Sequence, residues 1–168
     1  MGAMLRRIAL ALVVMATLAA CGFQLRGSSA QYTMPFKSLY LAFEDTSPLG
    51  TELRRSLRAR DGTLVVMDPA RADARFEVLS ENRTKTILSL NAQGRVREYM
   101  LTYTLNFRVV STSGAQILGP TEITLKRPLQ FNETQVLAKE SEEITLYRDM
   151  QTDLVQQIMR RLAAVKPA

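Results

Sequence analysis

Apolar positions along the chain fall into three regimes: an unbroken run, stretches that alternate, and stretches that recur every three or four residues. The unbroken run comes first, from Ile8 to Leu18. Leu39, Leu41 and Phe43 then alternate with Ser38, Tyr40 and Ala42, which predicts a first strand over 38–43. Thr46-Ser47-Pro48 supplies a capping hydroxyl and a proline for a helix start. Leu49, Leu53 and Leu57 recur every four residues behind it, with Arg54, Arg55, Arg58 and Arg60 turned largely away. Asp61-Gly62 is expected to stop this helix, because glycine tolerates the left-handed conformation past a helix end. Leu64 to Met67 reads as a short second strand. From Ala74 to Leu90 the alternation weakens, as Phe76 and Val78 give way to the polar Asn82-Arg83-Thr84-Lys85-Thr86.

A turn at Asn91-Ala92-Gln93-Gly94 precedes the clearest period of two. Tyr99, Leu101, Tyr103, Leu105, Phe107 and Val109 share one face, and Thr102, Thr104, Asn106 and Arg108 the other, as in a long half-buried antiparallel strand. Ser113-Gly114 turns the chain again, and Thr121 to Leu129 predicts a last strand with Ile123, Leu125 and Leu129 in phase. From Glu133 the period becomes helical. Ile144, Tyr147, Met150, Leu154, Ile158 and Leu162 form a stripe, widened by Val155 and Met159. Glu140, Glu142 and Glu143 lie early and Arg160, Arg161 and Lys166 late, the order a helix macrodipole favours. A helix of about 25 residues would be ~38 Å long, enough to cover a sheet face. The predicted class is α+β: a two-layer sandwich of a mostly antiparallel sheet with two helices packed on one side.

The opening run changes the picture of where this domain works. Arg6 and Arg7, the apolar stretch and then small residues follow the order of a secretory signal. Its 11 residues fall short of a span, which takes ~20. Leu18-Ala19-Ala20-Cys21 is similar to the lipobox of bacterial lipoproteins, which implies a diacylglycerol on the Cys21 thiol and a further acyl chain on its freed amine. Cys21 is the only cysteine, and a lone thiol in an oxidising compartment otherwise invites mispairing. Gly22, where an Asp would signal inner-membrane retention, points by the same resemblance to the outer membrane. The expected organisation is a signal peptide over 1–20, a lipidated N-terminus and tether over 21–35, and one domain over 36–168.

Composition narrows the chemistry. Twenty-two Lys and Arg stand against 16 Asp and Glu. Without Arg6 and Arg7, the side chains of the mature chain balance at +4. An exported basic domain is not expected to meet nucleic acid; its anionic partners would be phosphates of lipid or lipopolysaccharide, or an acidic protein surface. The chain has no histidine. With Cys21 assigned to lipid, no Ser-His or Cys-His pair and no zinc site can be assembled, and no glycine-rich phosphate loop is present. No enzyme activity, metal or cofactor is expected beyond the covalent lipid.

Three stretches converge on one family. Cys21-Gly22-Phe23-Gln24-Leu25-Arg26-Gly27 resembles the lipidated start of LptE, the lipopolysaccharide-assembly lipoprotein family. Gly94-Arg95-Val96-Arg97-Glu98-Tyr99 resembles its central hairpin. Phe131 to Lys139, with Glu142-Glu143 and then Met150 to Leu162, resembles its final passage from strand to helix. The resemblance implies a non-enzymatic plug in the lumen of the outer-membrane β-barrel LptD, which assists barrel assembly and binds lipopolysaccharide. It matches the family's ligand-binding lysine to Lys139. The family's basic residue ahead of the hairpin glycine falls on Ala92 in ungapped register, leaving Arg95 or Arg97 to take that role, or leaving it unfilled. The alternative is an envelope lipoprotein of similar fold that scaffolds a different machine or binds another small ligand.

Overall fold

The computed structural model describes residues 34–59 and 64–165. Cys21, the tether as far as residue 33, the expected Asp61-Gly62 stop and Lys166 lie outside the described residues.

Strand β1 (Ser38–Ala42) leads into helix α1 (Pro48–Arg58) and back to strand β2 (Leu64–Val66). Ser47 caps α1 as its sequence requires, its hydroxyl accepting from the Gly50 N–H at 3.0 Å. After a short 3-10 turn come three long strands, β3 (Ala74–Leu90), β4 (Val96–Ser111) and β5 (Gln116–Gln130). A second 3-10 turn, Glu133–Gln135, delivers the chain to helix α2 (Val136–Ala163). The sheet order is β2-β1-β3-β4-β5. The antiparallel expectation holds for β3, β4 and β5, whereas β1 pairs in parallel with both neighbours. That parallel edge follows from the helix between β1 and β2, because parallel neighbours need a crossover rather than a hairpin.

Apart from Val110, which stands beside Arg75 on the opposite face, every buried strand residue lies on one face. Leu39 and Leu41 stand beside Ala74 and Phe76, which stand beside Ser111 and Val109. Leu105 and Tyr99 pair onward with Ile123 and Leu129. Onto this face both helices set their apolar stripes: Leu49, Leu53 and Leu57 from α1, and Met150, Leu154, Val155, Ile158, Met159 and Leu162 from α2. Each such side chain, fully buried, contributes roughly 1.5–3 kcal/mol of transfer free energy. Gly50 lets α1 approach so closely that a Cβ there would lie 2.7 Å from Cβ and Cγ of Phe43. The opposite sheet face is polar, with Thr104 beside Thr124 at 3.2 Å, Asn106 donating to Ser80 at 3.2 Å, and Arg108 paired to Glu77 at 2.8 Å.

Three details depart from the sequence pattern. β5 starts at Gln116, ahead of the expected Thr121; Gly119-Pro120 hides the alternation, and a register shift past Phe107 absorbs the irregularity. α2 starts at Val136, so its first turn carries no acidic residue. The macrodipole acts within the terminal turns, so only Arg160 and Arg161 in the last turn complement it. Ile144, expected within the buried stripe, is 62% exposed; the side-chain bonds that tie α1 to α2 run from Glu52 to Gln151 and Thr152, two turns further along.

Candidate functional site

The β3–β4 turn is built by Asn91. Its side-chain oxygen accepts from the N–H groups of Gln93 and Arg95 at 3.0 and 2.9 Å, and Gly94 takes φ +75°. Arg95 is thereby held at the tip, where its guanidinium pairs with Glu133 at 2.9 Å in an exposed position. Two residues on, the Arg97 carbonyl accepts from the Phe131 N–H at 2.9 Å, tying the hairpin to the end of β5. The Phe131 ring packs edge-on against Tyr99 with centroids 5.3 Å apart. Asn132 then caps the short turn that starts α2, accepting from the Thr134 N–H at 3.0 Å. One turn into α2, Lys139 lies mostly covered, with its ammonium 2.8 Å from Glu142.

These residues surround one pocket of about 520 Å³, lined by Asn91, Arg95, Arg97, Phe131, Glu133 and Lys139 among others. All three cations singled out from sequence therefore line the same pocket, although Lys139 is far from the arginines in the chain. Two of the stretches that carry the family resemblance, the hairpin and the strand-to-helix passage, form its walls. Arg97 is exposed and makes no ion pair among the described residues. Three cations against the carboxylate of Glu133 leave the lining positive, and guanidinium and ammonium groups so placed can hold a phosphate through charge-assisted hydrogen bonds. The arginines of α1 sit elsewhere: Arg55 and Arg58 are exposed, Arg54 is half-buried, and Arg60 lies outside the described residues.

A second polar cluster has no counterpart in the sequence reading. A bulge between Val78 and Ser80 shifts the phase of β3 by one residue. Phe76 and Val78 point to the helices before it, and Glu81, Arg83, Lys85 and Ile87 after it, opposite Leu105, Tyr103, Leu101 and Tyr99. The buried Tyr103 hydroxyl donates to Glu81 at 2.5 Å and accepts from Arg83 at 2.8 Å. Arg83 also donates to Gln151 of α2, which donates to Glu52 of α1. Lys85 pairs with Glu143 at 2.6 Å, and the Tyr147 hydroxyl donates to the Thr84 carbonyl at 2.9 Å. Burial, reinforced by the bond to Glu81, pushes the Tyr103 hydroxyl well above the usual phenol range. Burial and then the neighbouring Glu143 charge push Tyr147 up as well. Among the described residues no cluster of His, Cys, Asp and Glu could hold a metal, and no helix is long and apolar enough to cross a membrane.

Fold and pocket together define a two-layer α+β sandwich with a cationic pocket where a long hairpin meets the start of the last helix. A family model described as "LptE: Lipopolysaccharide-assembly" matches residues 36–162, and the chain belongs to that family. The LPS-assembly lipoprotein LptE of Pectobacterium atrosepticum is 31% identical over 160 residues, covering 94% of this chain and 84% of its own length. That of Yersinia enterocolitica is 31% identical over 161 residues, covering 95% and 75%. Among solved structures, lipoprotein B from Nitrosomonas europaea superimposes with a TM-score of 0.72 at 37% identity, covering 85% of this chain and 91% of its own. The rare lipoprotein B from Shewanella oneidensis gives a TM-score of 0.65 at 25% identity, covering 76% and 94%.

Proposed function

We propose that this chain is an outer-membrane lipoprotein, acylated on Cys21, that seats in the lumen of the LptD β-barrel, assists the barrel's assembly and binds lipopolysaccharide on its way to the outer leaflet. The work is assembly and binding, without catalysis. The observation that carries the ligand half of this reading is the meeting of Arg95, Arg97 and Lys139 around one pocket. Lipid A phosphates offer a dianionic group that such a pocket can hold by bidentate and point-charge contacts. The barrel half is supported by family membership and by the polar outer face of the sheet, since barrel interiors of the porin type are polar.

Lys139→Asp tests the ligand half. The substitution replaces an attractive charge with a repulsive one beside Glu142, and lowers lipopolysaccharide binding at least tenfold while the far-ultraviolet circular dichroism stays native. Unchanged binding by the purified variant rules the lysine out. Co-purification tests the barrel half. Detergent-solubilised outer membranes should yield this chain in one-to-one complex with a large β-barrel protein, and a different companion would favour the rival scaffold reading.

A further inference from the structure

Past the end of β1, the lane beside β3 is empty among the described residues. β1 pairs with β3 only from Ala74 to Glu77, yet β3 continues to Leu90. Three observations meet in that lane. The first concerns the backbone. The Arg97 carbonyl and the Ser111 N–H both bond on the β5 side, so odd-numbered residues of β4 from Arg97 to Ser111 turn their peptide groups to β5 and even-numbered ones turn theirs to β3. In an antiparallel strand the N–H and C=O of one residue point to the same side, and the side alternates along the strand. Asn82, Thr84 and Thr86, opposite Thr104, Thr102 and Met100, therefore bond to β4, and Glu81, Arg83 and Lys85 present their peptide groups to the open edge.

The second observation concerns apolar surface. Gln151 of α2 bonds to Glu52, which marks the flank of α2 that faces α1. Ile144 and Leu137 lie one and two heptads earlier on that flank, and are 62% and 81% exposed. Ile87, on the helix-facing side of β3, is 59% exposed. The third is shape. A cleft of about 600 Å³ opens where β1 stops, lined by Ala42 and Phe43 on one side and Val78, Glu81 and Arg83 on the other.

A row of free peptide groups is matched by another peptide chain, and apolar side chains standing along one side of it are matched by a strand with apolar residues at every second position. An acyl chain lacks the hydrogen-bonding groups, and a phosphate lacks the apolar surface. We propose that β3 receives, along Ser80 to Ile87, an extended strand of the polypeptide with which this lipoprotein assembles. Bulges next to Ser80 and Ile87 bound the pairing segment. Self-pairing is disfavoured: two such edges running antiparallel about Thr84 would set Arg83 of one copy against Lys85 of the other. The assignment rests on the barrel-partner reading above and goes beyond it by naming the contact.

The test compares the native complex, purified in detergent from outer membranes, with the isolated mature protein. Amide hydrogen exchange in peptides spanning 80–87 should slow at least a hundredfold in the complex. Lys85→Pro removes one edge donor and spares the ladder to β4; with Lys85→Ala as the control that loses the side chain and keeps the donor, it should cut recovery of the partner at least tenfold. Ile144→Lys, which leaves the backbone edge untouched, should do the same through the apolar half. Equal exchange in the two states, full recovery with Lys85→Pro and with Ile144→Lys, or equal loss with Lys85→Pro and Lys85→Ala, overturns the edge pairing and leaves the barrel reading standing. If the unsubstituted chain brings down no β-barrel, that reading falls and the edge pairing with it. Protection already present in the isolated protein assigns the lane to the chain's own N-terminal segment or to a second copy, and overturns the proposal.

Discussion

Around the pocket, what separates the three cations is how far each is already engaged. Arg97 makes no ion pair among the described residues, Lys139 is held by Glu142, and Arg95 by Glu133. The Arg95 pair is solvent-exposed at both ends, so it is weak, on the order of 0.2–1 kcal/mol. An incoming phosphate has to displace or share that carboxylate. Glu133→Gln removes the competing charge, keeps the side chain's shape and frees Arg95. Lipopolysaccharide should then bind up to about fivefold more tightly, the factor that roughly 1 kcal/mol allows. Titration at two salt concentrations measures this, and the gain should shrink at the higher one because exposed charges are screened. An unchanged or weaker affinity would mean that Glu133 holds Arg95 in its binding position rather than competing for it.

Among the elements, β3 departs most from its sequence pattern, and its chemistry turns on that departure. One extra residue at the bulge carries Glu81, Arg83 and Lys85 to the side of the helices. The buried hydroxyl of Tyr103 then becomes the junction between Glu81 and Arg83. Its phenol is shifted upward from the ordinary value of 10, so the folded state holds that proton more tightly than the unfolded chain does. The stability this contributes is fully present below about pH 10, where unfolded tyrosine begins to ionise, and is lost as pH rises through the folded value. Urea midpoints measured from neutral pH upward should be steady with respect to this group and fall above about pH 10. Tyr103→Phe should be less stable at neutral pH and show a shallower alkaline fall, with Tyr147 supplying the remainder.

The long alternation of β4 and the stripe of α2 were legible because a single period runs through each without interruption. β3 was not, since a bulge reverses the meaning of odd and even positions and leaves no mark on composition. The parallel pairing of β1 was implicit in the helix that follows it, but which strand lies on its other side is a long-range fact. The same holds for the pocket. No local pattern places Lys139 next to Arg95 and Arg97; only the likeness to LptE grouped them. Ile144 fits its stripe, and the sequence carries no sign that it stays exposed.

At the scale of the whole described domain, burial is uneven along the sheet. Near β1 and α1 the core is dense, with Leu39, Phe76, Phe107, Leu53 and Leu154 all inaccessible to solvent. Toward the hairpin turn the same two layers are held mainly by exposed or half-buried ion pairs and hydrogen bonds, among them those of Lys85, Arg95 and Tyr147. β3 alone spans 17 residues, roughly 56 Å at ~3.3 Å per residue, so the pocket stands far from the point where the chain enters the fold at Phe36. Local opening follows the density of buried apolar contacts. Amides from Leu101 to Val109 and from Met150 to Leu162 should therefore exchange only through global unfolding. Those around the hairpin turn, Ile87 to Arg97, and in the first turns of α2 should exchange through local openings of lower free energy. Adding lipopolysaccharide should slow the second group and leave the first unchanged, since a ligand seated between Arg97 and Lys139 bridges the two elements that part when that end opens. Uniform protection along both strands, or slowing centred on the β1 end, would place the ligand elsewhere on the molecule.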